Sequence, residues 1–277
     1  MKERPNDPDP AISSLRHAIT LTATSFELFR PEEITSWQSD AVFKNLIDFE
    51  EDLASICSLV VIVLESPGSI AELGAFSQLP DLSRKLIVIK SDQYTEDPSF
   101  INLGILRHIR EAHDSSVKTY PWNIERPSEI NPEVIEDAIN DIQDELSGLK
   151  KSEVFKADNN AHIVVLICEI VNLFVALKES EIHKYLSDAG IEITKDELRS
   201  KLFLLENFRR VTRAEYSDST FYMSGRETHH RLRLTPKEGC HIDALRIPID
   251  CIEYYNQSTK ERHRSRVIKQ SIKGDAS

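Results

Sequence analysis

Only four cysteines occur in 277 residues, and no two of them stand in a CxxC pair. Without that spacing, neither a zinc ribbon nor a thioredoxin-like redox motif has its ligands. Cys57 and Cys168 lie in apolar runs, where a reduced thiol behaves as a small hydrophobe. Unpaired core cysteines point to a reducing compartment, the cytoplasm. The histidines form no metal set; His229-His230 sit in a basic stretch with Arg226, Arg231 and Arg233 and read as surface residues. No metal and no cofactor is therefore expected. There is no GxxxxGK[ST] and no GxGxxG string, which excludes the two best-known glycine-rich phosphate cradles. No repeat or low-complexity tract is visible. The most apolar stretch, Ala161 to Leu177, is broken by His162, Glu169 and Asn172, so it reads as a buried helix and not a membrane crossing. The opening MKERPNDPDP has no apolar core of the kind a signal peptide needs.

The charge is uneven. The chain carries a net −12, yet residues 1–160 hold 29 acids against 15 bases and residues 161–277 hold 17 against 19. The second half is thus free to meet an anionic partner.

Residues 11–23 read as a helix and 25–30 (SFELFR) as a short strand stopped by Pro31. Residues 40–57 carry a helical stripe of Val42, Leu46, Phe49, Leu53 and Ile56. Leu59 to Leu64 is a β-branched run without alternation, the mark of a strand buried on both faces. After Pro67-Gly68 a helix is expected over 69–78 with Ser69 as N-cap, then a buried strand at Lys85 to Lys90 and a helix over 99–112. Strand and helix in this alternation predict a Rossmann-like, doubly wound α/β sheet. Residues 131–149 form an acidic amphipathic helix, and the polar stretch Lys150 to Asn160 marks the boundary. Two domains are expected, 1–149 and 150–277. In the second, helices over 161–177, 179–189 and 194–208 precede a hairpin of Arg209 to Tyr216 and Thr220 to Ser224. Thr194 and Glu197 form a capping-box pattern. This is the order of a winged helix-turn-helix; a plain three-helix module with a hairpin is the alternative.

The chemistry concentrates in Glu65-Ser-Pro-Gly-Ser-Ile-Ala-Glu-Leu-Gly-Ala-Phe76, between a buried strand and a helix. Ligands of such sheets bind beyond the carboxyl ends of the strands, which puts Glu65, Ser66 and Gly68 at the site edge. Gly68 permits close backbone approach, and free amides at the helix start hold anions. Glu72 has two readings. It closes a capping box with Ser69, or it presents a carboxylate to the anomeric carbon of a bound sugar.

That dodecamer, followed by RKLIVI (84–89) and SFINLGILR (99–107), resembles the effector proteins of one class of bacterial retrons. Further matching blocks are Ser14-Leu-Arg16, Phe29-Arg-Pro-Glu32 and Glu50. The resemblance implies a nucleoside deoxyribosyltransferase-like domain followed by a winged helix. It implies that Glu72, in the pattern Gly68-Ser69-x-x-Glu72, is the catalytic carboxylate of a toxin. That toxin cleaves the N-glycosidic bond of NAD, or a related nucleotide, in anti-phage defence. Glu65 is a second catalytic candidate. Glu50, Ser66, Ser69 and Asn102 are candidates for substrate contact, each with an ordinary structural role as the alternative; Arg107 goes with Asn102. Implied partners are the retron reverse transcriptase, its multicopy single-stranded DNA (msDNA, a DNA–RNA hybrid) and further copies of the chain. Relatives begin with a hydrophobic strand ending in a glycine turn. MKERPNDPDP stands there instead, so either the sheet lacks its first strand or the start lies upstream. A non-catalytic nucleotide sensor and a salvage deoxyribosyltransferase are the competing functions.

Lys195, Arg199, Lys201, Arg209, Arg210 and Arg213 supply the basic side chains of the expected winged module. A tail of Lys260, Arg262, Arg264, Arg266, Lys269 and Lys273 follows. Cations on a helix and wing suit phosphate contacts.

Overall fold

A computed structural model describes residues 11–34, 43, 46–94, 98–149, 153–225, 232–233 and 243–274. The chain divides into two compact units, Met1–Arg30 with Cys57–Leu149, and Pro31–Ile56 with Lys150–Ser277. In chain order the main elements are α1 (Leu15–Leu21), α2 (Leu46–Ile56), β1 (Val60–Val63), α3 (Pro67–Phe76), α4 (Pro80–Ser83) and β2 (Leu86–Ser91). A π-helical turn (Ile101–Ile105) runs into α5 (Leu106–Ala112), followed by β3 (Val117–Tyr120), α6 (Pro132–Gly148), β4 (Glu153–Val154), α7 (Asn160–Phe174) and β5 (Ala176–Leu177). Then come α8 (Glu179–Asp188), α9 (Lys195–Asn207), β6 (Val211–Tyr216), β7 (Ser219–Ser224), β8 (Leu232–Arg233), α10 (Arg246–Gln257) and α11 (Arg262–Gly274).

In the first unit β1, β2 and β3 pair in parallel in that order, with β2 central and every one of its six residues buried. Successive strand side chains face opposite ways. Ile87 and Ile89 join Leu15, Ile19, Ala138 and Ile142 in one apolar cluster, so α1 and α6 cover that face. Lys90 belongs to the other face, where its Nζ donates to Asn102 Oδ1 at 3.2 Å on the π-helical turn before α5. Helices thus cover both faces of a parallel sheet, as an α/β protein requires. α6 starts at an Asn131 cap with Pro132 at its first position, and it buries Val134, Ala138 and Ile142 at four-residue steps. Full burial of Val134 or Ile142 is worth about 1.5–3 kcal/mol each.

Three features differ from expectation. Residues 25–30 form no strand, because no strand among the described residues lies alongside to take their backbone groups; Phe26 packs into the cluster while Leu28 is exposed. β3 adds an edge strand the sequence reading did not place. The N-cap of α3 is Ser66, not Ser69. The expectation of a missing first strand concerns residues 1–10, which lie outside the described residues, as do His229-His230.

The second unit is mainly helical. Its core gathers Ile163, Ile167 and Val171 of α7, Ile182 and Leu186 of α8, and Leu198, Leu202 and Leu205 of α9. Val175, at φ 67 and ψ −51, turns the chain out of α7, and Ala176-Leu177 become a short strand instead of a last helical turn. A branched residue at positive φ is strained, and the sheet formed beyond it holds it there. β5, β7 and β6 form an antiparallel sheet in that order. The hairpin turns on Ser217-Asp218, with Ser217 at φ 58 as a type II′ turn demands of its first position. Helix, short strand, helix, helix, hairpin is the expected order with a third strand added.

α2 belongs to this unit although it precedes the parallel sheet in the chain. Ile56 packs on the core, Phe43 meets Phe49 and Phe203 edge-on, and Asp52 pairs with the buried Lys201 at 3.3 Å.

Thr194 caps α9 as the sequence predicts: its hydroxyl accepts from Glu197 N, and the Glu197 carboxylate accepts from Thr194 N at 2.6 Å. The backbone bond from Thr194, helped by its hydroxyl, lowers the Glu197 pKa below the usual 4.5. A depressed carboxylate stabilises the fold above its unfolded pKa and ceases to do so as pH falls through its folded value. Thr194→Ala is expected to cost about 1 kcal/mol at neutral pH. That difference narrows when denaturant titrations are repeated below the carboxylate range.

Gly225 follows the hairpin at a close backbone crossing. A Cβ there stands 2.2 Å from the Arg209 carbonyl oxygen and 2.9 Å from its carbon. Neither backbone atom can swing aside. Gly225→Ala is expected to destabilise the second unit by about 2 kcal/mol, seen as a lower midpoint in chemical denaturation.

Candidate active site

α3 begins where β1 ends, and four residues decide its first turn. Ser66 takes the N-cap and Pro67 the first helical position, where a missing N–H costs nothing. The Ser66 hydroxyl accepts from Ser69 N at 3.1 Å. Ser69 Oγ in return accepts from Ser66 N at 3.2 Å and donates to Ser66 O at 2.9 Å. The capping box is therefore built from these two serines. Both are spent on the helix start, and the Gly68 amide has no acceptor among the described residues.

The box leaves Glu72 out. Because the helix starts at Pro67, Glu72 lies in its second turn and not its first. Its carboxylate is exposed and has no hydrogen-bond or ion-pair partner among the described residues. Gly68 and Glu72 are four residues apart and share one face of α3, while Leu73 and Phe76 bury the other. A Cβ at Gly68 meets only Ser66 Oγ, at 3.6 Å. The protein itself does not demand glycine there. A bare amide and an unpaired carboxylate thus face open space together at the carboxyl edge of a parallel sheet.

Glu65 is placed differently. Its carboxylate accepts from Leu15 N at 2.6 Å and Arg16 N at 3.3 Å. A negative charge at the first turn of a helix is stabilising, so Glu65 fastens α1 to the end of β1. Asn102 has both ends of its amide engaged: Oδ1 accepts from Lys90, and Nδ2 donates to Tyr94 O at 2.7 Å. Arg107 pairs with Glu111 at 3.1 Å on the surface. Glu50 lies on α2, in the second unit.

Two buried polar groups at this sheet edge escaped the sequence reading. Lys90, the penultimate residue of β2, has 4 % exposure, and burial, then the charge of Arg110, lowers its pKa. Trp122 follows β3, and its buried indole N–H has no acceptor among the described residues. The lysine at the end of an apolar strand was a legible signal; the tryptophan was not. The serine cap was legible too, since Ser-Pro is a cap followed by a first helical residue.

In the second unit the expected phosphate-binding cations divide. Arg199 pairs with Glu179 at 3.0 Å and Asp196 at 3.5 Å, and Arg213 pairs with Glu215. Lys201 is buried and paired with Asp52. Arg210 is half-buried and engaged. Lys195 and Arg209 are exposed and carry no ion pair among the described residues. The open concavity of about 840 Å³ beside α8, α9 and the hairpin is lined by Glu179 and Glu206 as well as by Lys178, Arg199 and Arg213. Its charge is mixed.

Among the described residues no helix is long and apolar enough to cross a membrane, and no group of His, Cys, Asp and Glu is placed to hold a metal ion. Cys57, Cys168 and Cys251 form no disulfide among the described residues; Cys240 lies outside them.

Two Escherichia coli proteins are similar over part of their length. The retron Ec73 putative ribosyltransferase/DNA-binding protein is 36% identical over 81 residues, 29% of this chain and 26% of that protein. The retron Ec86 putative ribosyltransferase/DNA-binding protein is 34% identical over 108 residues, 38% of this chain and 35% of that protein. The matched stretches thus span about a third or less of those relatives. A family model described as STM3845 retron effector protein matches residues 12–213, most of both units, and the chain accordingly belongs to that retron effector family.

Proposed function

We propose that the first unit cleaves the N-glycosidic bond of NAD or a related nucleotide, with Glu72 as the carboxylate beneath the sugar. The observation that carries this reading is the freedom of Glu72. α3 is capped without it, no described residue neutralises it, and it stands on the exposed face at the strand ends. Rupture of the bond leaves an oxocarbenium-like centre, which a carboxylate stabilises electrostatically or captures as a covalent ester. Water then takes the anomeric carbon and gives up its proton. Nicotinamide departs from a cationic ring, so the bonding electrons neutralise it and no general acid is needed. This suits a site where Glu65 is already committed to the amides of α1. Glu65 then acts by positioning, and the Gly68 amide is left for a ligand oxygen. No cofactor enters; the nucleotide is substrate.

At the level of the system, the chain is a toxin effector of anti-phage defence in the bacterial cytoplasm. The reverse transcriptase and msDNA hold it inactive, and several copies assemble together. The names of the relatives support a ribosyl-transfer chemistry and a nucleic-acid partner. The second unit is read as a winged helix because its helices, hairpin and third strand follow that order. Incubation of the chain with NAD, alone and after partner removal, is expected to release nicotinamide. Saturable nucleotide binding without turnover in both states would leave a sensor and end the enzymatic reading.

A further inference from the structure

The basic residues after Lys260 do not form a loose tail. They build α11, whose sequence RHRSRVIKQSIKG contains no acid. One side of the helix is committed to the protein. Val267 and Ile268 lie in a cluster with Phe221, Met223 and Tyr255. Arg264 is buried among Phe221 and Tyr255 and paired with Glu181 and with Glu261, at 3.1 Å from the latter. The other side is open. Arg262, Arg266 and Lys269 are exposed at steps of four and three residues, one face of a helix, and exposed Lys260 precedes them. Arg266 is steadied on the Tyr216 ring of the hairpin, 5.3 Å from its centroid. Arg262 and Lys269 have no acidic partner among the described residues.

We infer that this face of α11 is the surface that grips a DNA strand by its phosphates, in place of the α9 face on which a winged helix would be expected to rely. The inference rests on the proposed nucleic-acid partner and says where it binds. Charge decides between the two faces. Arg199 and Arg213 at α9 and the hairpin are matched by Glu179, Asp196 and Glu215, whereas α11 offers unmatched cations in a row. From Arg262 to Lys269 the row covers roughly 10 Å at about 1.5 Å per residue. A membrane surface is the poorer fit, because the apolar side of α11 is already used in the core and cannot enter lipid. α11 lies beyond the residues that the family model matches.

The test uses the full chain and a labelled single-stranded DNA of about 30 nucleotides, titrated between about 50 and 200 mM salt. Arg262→Gln with Lys269→Gln removes two cations that hold nothing in the fold, and circular dichroism confirms that the protein is intact. Binding is expected to weaken about tenfold, and the slope of log affinity against log salt to shrink by about 1.4, or 0.7 per lost phosphate contact. Lys195→Gln with Arg209→Gln is expected to change both far less. An unchanged slope in the first double variant, or the larger loss in the second, overturns the assignment to α11 alone. Competition by polyglutamate as strong as by DNA at equal charge overturns it in favour of an acidic protein. Failure of the unaltered chain to bind DNA overturns both this surface and the nucleic-acid partner, while nicotinamide release stands or falls separately.

Discussion

Glu72→Gln is expected to lower nicotinamide release by roughly 10³-fold or more and to leave the fold as it is. The two halves of that expectation have separate physical grounds. Chemically, the amide is the same size but carries no charge, so it neither stabilises an oxocarbenium-like centre nor forms an ester with it. Structurally, Glu72 is exposed, bonds to no described residue and stands outside the Ser66–Ser69 box. Its loss removes no cap and no ion pair, so the thermal midpoint stays within about a degree, as for surface changes within ±0.5 kcal/mol. Ser66→Ala is the instructive control. It removes an N-cap and costs about 1 kcal/mol of stability, yet leaves the carboxylate. A folded Glu72→Gln protein that still turns over would transfer the catalytic role to another residue and leave Gly68-Ser69-x-x-Glu72 a helix start only.

The sequence displayed the elements with a continuous or periodic apolar pattern and concealed those that depend on distant partners. β1 and β2 are runs of branched residues, and such runs have few other uses than a covered parallel sheet. α6 and α9 carry their own caps and stripes. β3 was invisible because VKTY is short, carries polar residues at its two central positions and buries only Tyr120. β5 was hidden inside an apolar helix pattern; only the positive φ of Val175, which no glycine advertises, ends α7 there. At the candidate site the string places Gly68 and Glu72 after β1 but does not give the hydrogen bonds of the turn. Ser69 and Glu72 have capping-box spacing, and Pro67 shifts the helix start so that Ser66 and Ser69 form the box instead. Of the acids that neutralise the cations of α9 and the hairpin, Glu179 stands 20 residues from Arg199 and is brought there by packing, whereas Asp196 and Glu215 lie within three residues of Arg199 and Arg213.

The most distant of these pairings also carries the largest expected change in stability. Asp52 and Lys201 are 149 residues apart in the chain, and Lys201 is only 3 % exposed. A buried ammonium gains little net stability from its partner, but it becomes an uncompensated charge when that partner goes. Asp52→Ala is therefore expected to cost about 3–5 kcal/mol, whereas Asp52→Leu combined with Lys201→Met restores most of the loss by replacing both charges with apolar groups. Chemical denaturation of the three proteins measures this directly. If Asp52→Ala costs less than about 1 kcal/mol, as an exposed pair would, Lys201 has another route to water or charge. The same pair predicts the fate of residues 150–277 expressed alone. They would lack α2, leave Lys201 without its carboxylate, and uncover core that Ile56 closes. That fragment is expected to show no cooperative unfolding, and addition of residues 31–56 to restore it.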